Sequence, residues 1–334
     1  MNKKFWMALL AAGALLTTPA CSDDKTPEEN EPNEPETQTE IVVYATGSDG
    51  TQGVYWCNGE AVTLKSPISE TPKWTRGKSI AVVGDDVYVA GYENKTAIVW
   101  KNGEPTALTD NTTELSVNDM AISGEDIYVV GCYNAAAVYW KNGQMVELSS
   151  FGEIRSIFIV GEDVYMAGND NGVATYWKNG TPVTLCKDQW STSEVYGICQ
   201  VGTELVAAGY YDMEAAVWNI NTEVNQTVLT EDWNYAQCRG VAFDEVANTV
   251  YTVGNDGYNP VCWVGTQMTQ LAVCESFGTA TDVCCHDGKC YIGGINDKQA
   301  VVWVDGEATV LAEAKTGPSL FGICIAEREV VVAQ

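Results

Sequence analysis

The chain has 334 residues, with 45 Asp and Glu against 18 Lys and Arg, and a formal net charge of −27. That length accommodates two average domains or one large all-β domain. So acidic a surface excludes binding to nucleic acid or anionic lipid through bulk electrostatics.

In chain order, the first segment reads MNKKFWMALLAAGALLTTPACSDD: two lysines, an apolar run from Phe5 to Leu16, then small residues before Cys21. The run is shorter than the roughly 20 residues of a membrane-spanning helix, and residues 1–20 have the layout of an export signal. Ending at a cysteine, it resembles the signal of bacterial lipoproteins, although Thr18 and Pro19 depart from that pattern. The resemblance implies a lipid anchor at Cys21 that ties the protein to a membrane. Ser22-Asp23-Asp24 is similar to the acidic tag of Bacteroidetes surface lipoproteins, which implies an exported outer-membrane lipoprotein displayed at the cell surface. Residues 21–40 carry eight acids, one lysine, three prolines and no aromatic residue. Such a stretch cannot bury enough apolar surface to fold and reads as an extended tether.

From residue 41 to 334 the sequence repeats. A glycine closing each VYVAG-like run is followed nine residues later by tryptophan: Gly47/Trp56, Gly91/Trp100, Gly131/Trp140, Gly168/Trp177, Gly209/Trp218, Gly254/Trp263 and Gly294/Trp303. Successive tryptophans lie 44, 40, 37, 41, 45 and 40 residues apart, a period of propellers and solenoids. Around Trp140 the unit resolves into strands SVNDMAIS, DIYVVG, AAAVYW and QMVEL, separated by Gly, Asn and Asn-Gly turns. Seven such units predict an all-β, seven-bladed β-propeller of four-stranded antiparallel blades, with each tryptophan filling a gap between blades. The chain enters at a second-type strand, IVVYATG. It leaves through a first-type strand near Phe321–Ala326 and another second-type run, EVVVAQ. One blade must therefore join N- and C-terminal strands, and Val42–Thr46 and Val330–Ala333 compete for one place in it.

The motifs YWKNG at 139–143 and 176–180 and VWKNG at 99–103 make the chain similar to the extracellular HAF-type repeats of bacterial proteins. It lacks the His-Ala-Phe of those repeats. The resemblance implies a propeller outside the cytoplasm with no defined activity. A WD40 domain has a recurring histidine where this chain has only His286, and the Gly-Gly of kelch blades occurs once, at Gly293-Gly294.

Three constellations bear on function. CCHDGKC, Cys284 to Cys290, has the composition of a zinc site. In register, however, Cys284, Cys285 and Cys290 fall on the positions of Ala121, Ile122 and Ile127, so they read as small core residues. No metal or cofactor is assigned. The eleven cysteines after Cys21 are an odd number and cannot all pair within the chain. The turns YEN, NDN, YYD, NDG and IND offer calcium ligands, but tight-turn geometry explains their composition.

The connections entering the first strands carry Trp74, Phe151, Trp190, Trp233, Tyr235, Phe277 and Phe321, with Arg76, Arg155 and Arg239 beside them. In a propeller these surround one mouth of the central channel. Aromatic faces with arginine donors on a rigid scaffold suit a neutral or mildly anionic glycan, or a protein ligand. Asp119 and Asp282 share one first-strand position and form the alternative, a glycosidase pair. The sequence thus predicts a tethered, monomeric, non-catalytic binding or interaction propeller, with a glycan-cleaving enzyme or a structural envelope protein as the other readings.

Overall fold

Turn chemistry sets the hairpins. The Asn-Gly pair of each KNG turn takes the doubly left-handed backbone of a tight hairpin, with φ of 52° and 82° at Asn102 and Gly103 and 51° and 80° at Asn142 and Gly143. The preceding lysines reinforce the same turns. Lys101, Lys141 and Lys178 pair at 2.7–2.8 Å with Asp86, Asp126 and Asp163, the first residues of the neighbouring strands. The Asn102, Asn142 and Asn179 side chains accept hydrogen bonds from the next residues of those strands, Val87, Ile127 and Val164, at 2.8–2.9 Å.

The computed structural model describes residues 37–331 apart from 69–73, 111–113, 187–190, 221–223, 231–234 and 314–316. Among the described residues are 28 strands and no helix, arranged as seven four-stranded antiparallel sheets. The signal and tether segments predicted at 1–20 and for most of 21–40, with Cys21, lie outside the described residues. Blades 2 to 7 run outward in chain order from innermost strands Thr75–Val83, Leu115–Ser123, Gly152–Val160, Ser193–Val201, Gln237–Asp244 and Gly278–His286. Each innermost strand packs beside the next around a closed ring. The architecture is the seven-bladed β-propeller that the repeat predicts.

Blade 1 closes the ring. Its innermost strand is the C-terminal Ser319–Val331, and its other three come from the N-terminal end, beginning with Thr37–Ser48. The two long strands pair from Ser48↔Ser319 to Thr37↔Val331. Val42–Thr46 thus takes the contested place in the blade. The run near Val330 does not compete for it: it continues the innermost strand and pairs with Thr37 and Gln38.

The core is divided into seven clusters, one at each blade interface. Trp140, for example, packs against Ala81, Ala90 and Val99 of the preceding blade. All seven repeat tryptophans are fully buried. Cys284 and Cys285 are buried in these clusters as the register predicts, Cys199 and Cys324 are buried likewise, and the eleven described cysteines are free thiols.

Candidate functional site

The glycine that ends each VYVAG-like run marks a bulge opposite it. In blade 2, Gly77 pairs with Gly91 and Ser79 with Ala90, so Lys78 has no partner in the ladder. A Cβ on Gly91 would lie 1.9 Å from the Arg76 carbonyl oxygen. At the six equivalent glycines the distance is 1.8–2.3 Å, so only glycine permits the chain to approach so closely. The other six innermost strands shift register at the same point and leave out Asn118, Arg155, Tyr196, Arg239, Thr281 and Phe321.

All seven of these unpaired residues line one cavity of about 260 Å³ at the propeller axis. Phe277, Thr279, Ile295, Asp119 and Asp282 complete much of its wall. In blades 5, 6 and 1 the following residue is a glycine set against the next innermost strand. A Cβ on Gly197, Gly240 or Gly322 would come within 3.0–3.2 Å of the next innermost strand, so the strands stand close together beside the bulges.

The ring does not repeat chemically. Lys78, Arg155 and Arg239 supply three cations, and Tyr196 and Phe321 two aromatic faces. The Lys78 ammonium lies 3.6 Å from the Phe321 ring centroid. Tyr196 has the Arg155 and Arg239 guanidiniums at 5.2 and 5.4 Å from its ring, distances at which cation–π attraction operates. Arg155 donates to Glu194 at 2.8 Å and pairs with Glu153 at 3.0 Å. Burial opposes its charge, but these carboxylates more than offset that and push its pKa up. Arg239 donates to Asn255 and Gln237. Among the described residues neither it nor Lys78 has a carboxylate salt-bridge partner, and burial draws the Arg239 pKa down. Lys78 falls to about 7, through burial first and then through Arg155 and Arg239. Positive charges repelling one another across a cavity favour an anion between them.

The two channel carboxylates are engaged in joining blades. Asp119 accepts from Ser79 at 2.7 Å on one side, and from the Ile157 backbone N–H at 3.1 Å on the other. Asp282 accepts from the Ile323 N–H of blade 1 at 3.0 Å. The Thr281 hydroxyl reaches the Leu320 carbonyl at 2.8 Å.

Of the ten residues expected at the mouth, Arg155, Arg239, Phe277 and Phe321 meet at the cavity. Arg76 does not line it: its guanidinium donates to Ser48 and to the Thr75 carbonyl. Trp74, Phe151 and Tyr235 enter their innermost strands as exposed aromatics, 70, 60 and 68% accessible, with Phe277 at 41%. Each of these four stands four residues before the unpaired residue of its own blade, so they occupy one structural position near the cavity. Trp74 and Tyr235 have left-handed backbones, φ 61° and 56°, uncommon for bulky residues. Trp190 and Trp233 lie outside the described residues. Sequence reasoning missed Lys78, Asn118, Tyr196 and Thr281. In blades 2 to 7 the signal was a column thirteen residues before the repeat glycine, fifteen in blade 6, where six positions hold five residue types and only arginine recurs.

Neither a known protein family nor any curated protein matches the sequence. Among solved structures, the fold is similar to the extracellular domain of a protein described as a hybrid two-component system of B. thetaiotaomicron. Identity there is 9% and the TM-score 0.53, over 84% of this chain and 36% of that one. It is also similar to the WD40 β-propeller domain of Doa1, at 12% identity and TM-score 0.54, over 79% of this chain and 90% of that one.

Proposed function

We propose that the protein is an exported, membrane-tethered binding propeller. In this reading its axial cavity takes one acidic group of a glycan, a carboxylate or sulfate, while adjoining sugar units lie on the exposed aromatics. The observation that carries this reading is the ring of unpaired residues: one side chain per blade, three of them cations and two aromatic, around a cavity of about 260 Å³. A ring formed only for packing would repeat with the blades, as the tryptophans do.

Binding without turnover is favoured because Asp119 and Asp282 accept backbone N–H groups of neighbouring blades. Those bonds commit one oxygen of each carboxylate to holding adjacent blades together, a structural task that a nucleophile or general base does not carry. The acidic domain as a whole repels polyanions, so a sparsely charged glycan is the better partner. The segment ending at Cys21 and the acidic stretch after it support a lipid anchor and a spacer at the cell surface, and an extracellular bacterial domain shares the fold.

A glycan array probed with the purified protein tests the proposal. The expected hits carry a uronic acid or sulfate, and Lys78→Ala with Arg239→Ala removes them while the folded far-UV spectrum is kept. Binding confined to neutral glycans, or release of shortened products from any hit, would overturn it.

A further inference from the structure

Between blades 6 and 7, away from the axial cavity, three departures from the repeat converge. Asp244 ends the innermost strand of blade 6, where the equivalent residues are Val83, Ser123, Val160 and Val201. Cys285 and Cys290 face each other across the first hairpin of blade 7. In other blades the corresponding opposed pairs are Val82↔Val87, Ile122↔Ile127 and Ile159↔Val164. The Asp244 carboxylate oxygen and the two sulfurs all lie within 4.8 Å of one another.

The pleat decides which groups meet. Cys284 packs into the interface with blade 1, among Trp56 and Ile323, and His286 points the same way, with Nε2 at 3.5 Å from Glu327. Cys285 faces the opposite interface, with blade 6, as alternation along a strand requires. The four-residue set suggested by CCHDGKC is therefore split, and a residue far away in sequence, Asp244, joins the half that contains Cys285 and Cys290.

Asp244 is only 3% exposed. Its Oδ1 accepts the Val246 and Ala247 backbone N–H groups at 2.8 and 3.0 Å, which accounts for the turn. Its Oδ2 is buried and has no hydrogen-bond partner. An ionised oxygen left so is costly unless something positive meets it. Two opposed thiols beside it supply soft donors. With bonds of about 2.3 Å to sulfur and about 2.0–2.2 Å to oxygen, a tetrahedral ion needs donors roughly 3.5–4 Å apart, a spacing that falls inside the 4.8 Å bound on these three atoms. Cys290 is only half-buried, so the cluster has an edge through which an ion can enter.

We propose that Asp244, Cys285 and Cys290 bind a thiophilic divalent cation of the zinc type, bridging blades 6 and 7 and leaving one coordination position for water. This site is independent of the axial cavity, so its fate says nothing about glycan binding.

The test is titration of the full chain, reduced and metal-free, with cobalt(II) as a spectroscopic substitute for zinc. The expected result is a thiolate-to-cobalt charge-transfer band that saturates at one equivalent and is displaced by zinc. Cys285→Val with Cys290→Val restores the residues of blade 2 at these positions, so it folds, and it loses the band. Asp244→Asn keeps both thiols but weakens binding, and Cys284→Ser leaves the titration unchanged. The proposal is overturned if wild type gives no band, or if the double variant keeps it. It is also overturned if the protein from its host holds Cys285 and Cys290 as a disulfide and fails to bind cobalt after reduction.

Discussion

Lys78 shows how a single position can carry both a charge and its control. Its pKa of about 7 means that the free protein keeps this ammonium charged below neutrality and loses the charge as pH rises through 7. An anion in the cavity prefers the charged form, so binding takes up a proton above that pH. Affinity for an acidic glycan is therefore expected to fall by up to about tenfold from pH 6 to pH 8, about one unit above the midpoint. In Lys78→Met that pH dependence disappears and affinity stays at the lower value. Titration calorimetry in buffers of different ionisation enthalpy measures the proton uptake directly, and a flat profile in wild type would remove Lys78 from the site. The glycine opposite each bulge is equally specific. A Cβ at Gly168 would meet the Glu153 carbonyl at 2.0 Å, so Gly168→Ala must displace the bulge that presents Arg155. It is expected to cost at least about 2 kcal/mol in chemical denaturation and to weaken ligand binding. Gly→Ala at an open, exposed turn costs only the strain of a left-handed backbone.

At the level of strands and loops, regular features were legible in the sequence and the exceptions were not. Four strands per unit, their turns and the tryptophan ladder all follow from local rules of alternation, Asn-Gly chemistry and a fixed period. The bulge was present in the sequence too, as a glycine in a strand interior. Its consequence was hidden because the ladder skips one residue, and alternation counted straight through that point assigns the next positions to the wrong face. Lys78, Asn118, Tyr196 and Thr281 were overlooked for that reason, whereas Arg155 and Arg239 were found because they stand beside the aromatic connections. Asp244 escaped because its partners lie in the next blade, beyond any local pattern. One further device appears only in three dimensions. Asp297, in a turn of blade 7, accepts the backbone N–H groups of Glu275, Ser276 and Phe277 at 2.7–3.3 Å. These bonds hold its carboxyl at about 2. Since the folded value is depressed, the clamp is intact at neutral pH and is lost only as pH falls through the carboxylate range toward 2. Asp297→Ala is expected to loosen the loop that places Phe277 at the cavity, seen as faster amide exchange at 275–277 and weaker ligand binding with little change in global stability. Unchanged exchange there would show that the loop is held by other contacts.

The whole molecule depends on one joint. Every blade except blade 1 is made from consecutive strands, so the pairing of Ser319–Val331 with Thr37–Ser48 is the one strand ladder that joins the two ends of the chain in the ring. Leu320, Ile323 and Ile325 of that strand are buried at the interface with blade 7, and Phe321 supplies one of the seven cavity residues. Burying a Leu or Ile side chain contributes about 1.5–3 kcal/mol, so these three alone account for roughly 5–9 kcal/mol. A whole domain is stable by only about 5–15 kcal/mol. Ending the chain at residue 318 should therefore abolish cooperative unfolding as well as ligand binding, although every residue of blades 2 to 7 is retained. The ladder that remains open is a backbone edge on Thr37–Ser48 with an apolar groove beside it, a form that an added strand can complete. A synthetic peptide of residues 319–334 is expected to restore the unfolding transition and the binding together. In the same peptide, Phe321→Ala should restore the transition but not full binding, because that side chain stacks with Lys78 at the axis while its neighbours close the ring. Recovery of binding by both peptides would assign Phe321 to packing alone.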